Sequence, residues 1–319
     1  MNRNQTKSEH IMLRKLPALG AAGAGFALYQ ALQQSRFKVT RHKYLTAKAS
    51  SFVRIVSLAD LHDHQYGPVN RELLDTVDAL RPDAIVIPGD FFTRRKRRTK
   101  QEIPASSVRT MLMLAQISPV FYSFGNHETH ILEDGREQAE QFCTALDQFR
   151  SAGVHVLRNE RILMNVNGTQ LEITGFEPDR AYYFKGTKVS LRDGYLEKTL
   201  GDMLEPQALQ ILLAHAPAYF ESYAKTDTDI VFSGHTHGGL VRIPGVGSVI
   251  SPELTLFPDY DKSAVSRNGT TMYVSRGLGT HTVHLRVFDP AEIVVTDVKP
   301  LVSEPVFQNG TVLKESSMR

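Results

Sequence analysis

Ile230-Val231-Phe232-Ser233-Gly234-His235-Thr236-His237-Gly238-Gly239 places two imidazoles one residue apart, directly after an apolar run. Residues two apart on a strand point the same way, but Gly234 and the Gly238-Gly239 pair indicate that the strand has ended and the chain turns sharply. Such a turn can aim both rings at one point. Histidine is the commonest metal ligand, so the run points to a metal site at a strand end. His-x-His alone also fits two polar loop histidines, and the rest of the chain has to decide between them.

Upstream, the chain reads as alternating strands and helices. Phe52 to Leu58 forms a buried-strand pattern, followed by a helix marked by Val69, Leu73, Val77 and Leu80. Ala84 to Pro88 predicts a second strand, and Val108, Met111, Leu112 and Ala115 mark a second helix. Val120 to Phe124 predicts a third strand, and Ala139, Phe142, Leu146 and Phe149 line one face of a third helix. This rhythm implies βαβ units in an α/β protein with a largely parallel core, where ligands belong at the carboxyl ends of the strands.

The strand ends bear that out within the sequence. The first strand runs into Asp60-Leu61-His62, the second into Gly89-Asp90, and the third into Gly125-Asn126-His127-Glu128. Leu209 to Ala214 ends at His215, and Ile230 to Ser233 ends at His235 and His237. Each donor has an ordinary explanation by itself, such as a helix cap for Asp60 or a turn residue for Asp90 and Asn126. Five apolar runs that each deliver Asp, Asn or His at the same end make one shared site the better reading.

Composition bounds the rest. With 319 residues, 41% hydrophobic and 22% charged, the chain can bury one large core or two modest ones. A formal net charge of +3, with no aromatic-rich basic stripe, gives no case for a nucleic-acid partner. The lone Cys143 excludes an internal disulfide framework, and its place in an apolar helical pattern makes it an expected core residue.

The amino-terminal residues 1–50 read as a separate basic segment with an apolar helix and a linker, ahead of a catalytic domain over 51–300 and a polar tail over 301–319. Leu16 to Leu32 is uncharged and is flanked by Arg14-Lys15 and by Arg36, Lys38, Arg41 and Lys43. As a helix it would span ~25 Å, slightly short of a ~30 Å hydrocarbon core. No small-x-small cleavage site follows it, which favours an uncleaved membrane anchor over a signal peptide; a helix docked on the domain is the alternative.

The series D-x-H, GD, GNHE, a strand-ending His and GHTHGG resembles the calcineurin-like metallophosphoesterase superfamily over about residues 52 to 298. Shorter phrases, among them Leu61-His62 with Tyr66-Gly67, Pro258-Asp259-Tyr260-Asp261-Lys262 and Ser275-Arg276-Gly277-Leu278-Gly279, resemble its membrane-anchored bacterial branch of phosphodiesterases and UDP-diacylglucosamine pyrophosphatases. The resemblance implies a β-sandwich of two mixed sheets flanked by helices, in αββα layers. It implies two divalent metal ions, drawn from Mn, Zn, Fe or Ni. Asp60, His62 and His237 would hold one, Asn126, His215 and His235 the other, with Asp90 bridging. It also implies hydrolysis of a phosphodiester or pyrophosphate bond by in-line attack of metal-bound hydroxide, on a phosphorylated small molecule or a lipid-linked or nucleotide substrate. A membrane-anchored catalytic domain on the extracytoplasmic side is the expectation, with the cytoplasmic face as the alternative.

His127 follows Asn126 and is expected beside the metals, able to donate a proton to the leaving oxygen. In the protein phosphatase branch an Asp three positions after the bridging Asp orients that histidine and an Arg follows it. Here those positions hold Thr93 and Arg94, so the orienting group is missing while Arg94 remains a candidate for gripping a phosphate. The run from Arg94 to Arg98, with Lys100, is either a solvated loop or a surface for anionic headgroups. His64, His130, His281 and His284 fit no ligand position. Residues 175–206 break the rhythm and suggest a lid or substrate wall, with Tyr182, Tyr183, Phe184 and Lys185 as lining candidates. The competing function class is a membrane-tethered, non-catalytic metal-binding scaffold; loss of Asp90, Asn126 or His127 would favour it, and none is lost. An amidohydrolase-type metal enzyme would place its His-x-His early in the chain, whereas here it comes late.

Overall fold

The computed structural model describes residues 23–94, 102–134, 136–183, 190–239, 241–243, 247–250, 260, 264–280 and 286–301, with the backbone of 307–308 and 311–312. One six-stranded sheet is built from β1 (Phe37–Thr46), β2 (Val53–Ser57), β3 (Ala84–Ile87), β4 (Val120–Ser123), β5 (His155–Leu157) and a strand late in the chain, Ala291–Pro300. The other is built from β6 (Glu160–Val166), β7 (Thr169–Phe176), β8 (Leu209–Ala214) and β9 (Ile230–Ser233). After a small hairpin of β10 (Val241–Ile243) and β11 (Gly247–Ile250), β12 (Ala264–Arg267) and β13 (Thr270–Val274) complete that second sheet, and Ala291–Pro300 is β14.

The strand orders are β1-β14-β2-β3-β4-β5 and β12-β13-β9-β8-β7-β6. Each sheet has a parallel centre, β2 to β5 in one and β7, β8, β9 and β13 in the other, with antiparallel pairs at β14–β2, β6–β7 and β12–β13. The parallel core expected from the βαβ rhythm is therefore present as two mixed sheets, because β6, β12 and β14 pair antiparallel with β7, β13 and β2.

Alternation along the strands explains why the sheets stack. Ile55, Val86 and Phe121 face the second sheet and pack with Ile173, Ile211, Leu213, Ile230 and Phe232. Their sequence neighbours Val56, Ile85, Ile87 and Tyr122 face the other way, against helices. With α1 as residues 23–34, those helices are α2 (Arg71–Leu80), α3 (Ala105–Ile117), α4 (Asn126–Asp134) and α5 (Arg136–Ser151). The outer face of the second sheet is covered by α6 (Tyr195–Leu200) and α7 (Phe220–Tyr223), with Leu212, Val231 and Met272 packed on Leu196, Phe220 and Tyr223. The layers are helices, sheet, sheet, helices.

Several details depart from the sequence reading. Val69 lies ahead of α2 with φ 54°, in the left-handed region that a β-branched residue rarely adopts, so α2 starts at Arg71. On α3 the fully buried positions are Ser107, Thr110, Met111 and Leu114; Val108, Leu112 and Ala115 are only partly buried. The third helix is two, α4 carrying the Asn126 motif and α5 the apolar face. Cys143 is exposed, because Phe142, Leu146 and Phe149 take the inward stripe of α5 and Cys143 is turned away from it.

Residues 37–46, expected to lie in a linker, form β1, a ten-residue edge strand paired in parallel with Ala291–Pro300. The amino-terminal apolar run falls partly outside the described residues. Its described part belongs to α1, which is docked on the domain: Gln30 is buried, and no helix among the described residues is long and apolar enough to cross a membrane. The tail beyond 301 lies outside the described residues, apart from two short paired strands, Phe307–Gln308 and Thr311–Val312.

Candidate metal centre

The carboxyl ends of five strands, from both sheets, open onto one rim. Asp60 and His62 follow β2, Asp90 follows β3, Asn126 opens α4 after β4, His215 follows β8, and His235 and His237 follow β9. Backbone bonds continue the strand pairing into these loops: Asp60 N–H donates to Gly89 O at 3.2 Å and His62 N–H to Asp90 O at 3.0 Å. The two sheets are stitched there by His235 N–H, which donates to both oxygens of Asp60 at 3.0 and 3.1 Å.

The loops hold an unusual conformation to do this. Asp60, His62, Asp90, His235 and His237 have φ of 51°, 48°, 53°, 70° and 50°, all left-handed and all non-glycine. Such residues cost of order 1–3 kcal/mol each and persist where the surroundings over-determine them. Gly125 has a packing reason as well: a Cβ there would meet the Asp90 carboxylate.

The donors gather as follows. Asp60, His62 and His237 place ligand atoms within 4.8 Å of one another, as do Asp90, His215 and His235, and also His62, Asp90 and His127. His62 Nε2 lies 3.2 Å from His237 Nε2 and 3.6 Å from Asp90 Oδ2, and His215 Nε2 lies 3.0 Å from the same Asp90 oxygen. Asn126 Oδ1 is 2.9 Å from His235 Nδ1. Every ligand candidate of the sequence reading is therefore in one cluster, with Asp90 touching both halves.

Hydrogen bonds fix which ring nitrogens carry protons. A carbonyl oxygen can only accept, so the contacts of His215 Nδ1 with Pro88 O (3.1 Å) and of His237 Nδ1 with Gly279 O (3.0 Å) place hydrogens on both Nδ1 atoms. The Nε2 lone pairs then face the cluster. His215 Nε2 is buried with no hydrogen-bond partner and faces the Asp90 carboxylate, which in its ionised form also has only lone pairs to offer. Lone pair against lone pair at that distance is what a cation between them resolves, and a set of imidazole, carboxylate and amide oxygen suits borderline and hard divalent metals.

Burial sets the electrostatics. It pushes the His215 imidazolium down to about 4, so the ring is neutral near pH 7. Burial raises the Asp60 and Asp90 carboxylic acids, with the charge of Asp90 adding to the rise at Asp60. Two buried carboxylates this close hold their charges comfortably only with positive charge between them.

His127 sits beside the cluster, its ring 4.7 Å from that of His62 in an edge-on arrangement. Its own N–H donates to Asp90 Oδ1 at 2.8 Å. The side chain of Arg94, read as a phosphate grip, is exposed at the rim, and its backbone N–H donates to His127 Nδ1 at 3.0 Å. The basic residues from Arg95 to Arg98, and Lys100, lie outside the described residues, as do Phe184 and Lys185. Tyr183 does reach the site, its ring 6.1 Å from that of His235. Tyr182 packs on Tyr195 and Tyr219 instead.

Two carboxylates with no assigned role in the sequence reading prove central. Glu128 is fully buried and accepts from Asp90 N (2.9 Å), Gly125 N (3.0 Å), Phe92 N (3.0 Å) and the Tyr122 hydroxyl (2.9 Å), locking the β3 and β4 loops together. Asp63 accepts from Thr93 N at 3.0 Å and from Ser107 Oγ at 2.8 Å, which steadies the backbone that orients His127. Their only signal in the sequence is adjacency, Asp63 to His62 and Glu128 to His127.

Residues 53–239, more than half of the chain, match the calcineurin-like phosphoesterase family. The chain belongs to that family. Phosphodiesterase YaeI of Escherichia coli is 27% identical over 252 residues, covering 77% of this chain and 83% of the relative. An uncharacterized metallophosphoesterase of Aquifex aeolicus is 28% identical over 284 residues, covering 85% and 95%. UDP-2,3-diacylglucosamine pyrophosphatase LpxG of Chlamydia muridarum is 24% identical over 304 residues, covering 83% and 90%. This calcineurin-like phosphoesterase thus resembles a phosphodiesterase and a pyrophosphatase along most of its length, beyond the motif loops alone.

Proposed function

We propose that this phosphoesterase hydrolyses a phosphodiester or pyrophosphate bond with the help of two divalent cations. Asp60, His62 and His237 would hold one, Asn126, His215 and His235 the other, and Asp90 would lie between them. The observation that carries this is the His215–Asp90 contact, a neutral imidazole nitrogen and a buried carboxyl oxygen 3.0 Å apart, with the other imidazole nitrogen already committed to Pro88 O, so that ionising Asp90 leaves two lone pairs facing each other. When bound, the cations would activate a water and neutralise charge on the phosphoryl oxygens.

The chain's own residues do the rest. His127 accepts at Nδ1 from Arg94 N–H, so its neutral tautomer carries hydrogen on Nε2, the proton it would give to a leaving oxygen. Arg94, whose backbone contacts His127 and whose side chain is exposed, would grip a substrate phosphate in a bidentate fork. Asp90 orients His127 through the backbone bond at 2.8 Å. A lipid-linked or nucleotide substrate agrees with the names of the relatives, and the uncharged run Leu16 to Leu32 between basic flanks supports a membrane tether. The catalytic domain would then stand at the extracytoplasmic face.

The test is hydrolysis of a chromogenic phosphodiester with Mn²⁺ and with chelator, alongside metal analysis of the purified chain. Two cations per chain and loss of activity on chelation are expected. Activity indifferent to chelator, or none with both cations bound, would reject the proposal.

A further inference from the structure

Helix α1 reaches the metal centre through one side chain. Gln30 is buried, and its amide pairs with the backbone of Arg286 in both directions: Nε2 donates to Arg286 O at 3.0 Å, and Arg286 N–H donates to Oε1 at 2.9 Å. Two flanking contacts seat the same helix: Phe288 N–H donates to the Tyr29 hydroxyl at 2.8 Å, and His64 Nε2 bonds the Gln34 carbonyl at 2.8 Å. The second of these lies two residues from His62.

Arg286 is 2% exposed, an unusual place for a guanidinium. Its Nη2 donates to three carbonyls, Arg276 (3.0 Å), Gly277 (3.1 Å) and Gly279 (2.8 Å), while Nη1 faces Asp289 O and Oδ2 at 3.3 and 3.4 Å. The Gly279 carbonyl is the one that receives the Nδ1 hydrogen of His237. The same segment presses on Asp60: Leu278 N–H donates to Ala59 O at 3.0 Å and Gly279 N–H to Asp60 O at 2.6 Å. At Gly277, with φ +70°, an added Cβ would lie 2.8 Å from Asp60 Cβ and 3.1 Å from His237 Nδ1. Residues 276–279 are thus the back plate of the Asp60–His62–His237 half of the site, and Arg286 holds three of the plate's carbonyls.

We infer that Arg286 is a positioning residue for His237, and that Gln30 passes this control to α1, so that the seating of the helix sets cation affinity in the Asp60–His62–His237 half alone. This rests on the metal reading proposed above. The other half is supported by Pro88 O and Glu128, which Arg286 does not touch. Groups that orient a ligand histidine through its distal nitrogen are worth about 10–100-fold in metal affinity.

The experiment is stepwise Mn²⁺ binding by calorimetry on the full chain, for wild type, Gln30→Ala, Arg286→Lys, His237→Ala and the Gln30→Ala/His237→Ala double variant, with thermal unfolding in parallel. Gln30→Ala is expected to weaken one of two binding steps by about 10-fold, Arg286→Lys by about 100-fold, and the second step is expected to stay unchanged in both. In the His237→Ala background, Gln30→Ala should add nothing further. Equal weakening of both steps, or of neither, with wild type binding two cations, overturns the coupling and leaves the metal reading intact. A wild-type chain that binds fewer than two cations overturns both. If Arg286→Lys does not fold, the Gln30→Ala cycle decides alone.

Discussion

The Arg94 backbone amide donates to Nδ1 of His127 at 3.0 Å, so a backbone N–H orients the ring of this histidine while its own backbone N–H is held by Asp90. Thr93, where a carboxylate would otherwise be sought, offers instead its own N–H to Asp63 at 3.0 Å, and that bond fixes the peptide leading into Arg94. His127 is thereby held in the tautomer that donates from Nε2.

Replacing His127 by Ala should lower kcat by about 10²–10⁴-fold on a substrate with an alkoxide leaving group, and far less on a nitrophenyl ester, whose leaving oxygen needs little protonation. Comparing the two substrates on one variant checks this. An equal loss on both would mean that His127 acts before the leaving group departs.

Arg94→Ala keeps the backbone amide and removes the guanidinium. KM should rise about tenfold with kcat little changed, the pattern of lost substrate binding. A kcat effect as large as that of His127→Ala would show that the substitution has disturbed the His127 orientation.

Cation binding should release protons below neutral pH. Burial raises the Asp60 and Asp90 acids above the ordinary carboxylate range, so part of each population is protonated in the metal-free chain. Titrating Mn²⁺ at pH 6 and pH 8, in buffers of different ionisation enthalpy, should show proton release at the lower pH that shrinks at the higher.

The metal-free chain should lose stability as pH rises toward neutrality. Glu128 is raised to about 7 by burial first and the Asp90 charge next, against an unfolded value of 4.5. A raised folded value means extra bound protons in the native state between those two limits, so stability is fullest below the lower one and drains as pH climbs through the upper. His215, lowered to about 4 from 6.5, works the other way, losing stability as pH falls across that interval. Asp60, Asp90, Glu128, Asp289 and Glu292 are raised by burial and oppose the lowered His42, His155 and His215, so the net slope of Tm between pH 5 and 7.5 should be downward without metal and should flatten with Mn²⁺. A rising Tm in the metal-free chain would contradict this.

Glu128→Gln should cost about 1–3 kcal/mol, because an amide nitrogen would face donors where the carboxylate accepts four. Denaturant unfolding measures it.

The site was legible because its chemistry is written where apolar strands stop. Asp60, Asp90, Asn126, His215 and the His235/His237 pair each follow a run too hydrophobic to be anything but buried, and parallel strands bring such ends to one edge. The two-sheet layering was not legible from periodicity, since a strand covered on both faces gives a continuous apolar run whichever layer it joins. β1 was missed because its solvent face carries Val39, Arg41, Lys43 and Leu45, where two cations break the apolar alternation and the run reads as a basic linker. Cys143 was misjudged because one step along a helix turns a side chain by about 100°, enough to leave the stripe that Phe142 occupies. Arg286 and Gln30 carry no local signal at all; their partnership joins residues that only the folded chain makes neighbours.

β14 lies between β1 and β2, parallel to one and antiparallel to the other. During synthesis, β1 and β2 leave the ribosome long before the strand that must separate them, so the gap has to stay open until nearly the whole domain has emerged. Completion of this sheet is therefore a late event in folding. A nascent chain stalled before residue 291 would display two unpaired strand edges to whatever chaperone or neighbouring polypeptide arrives first.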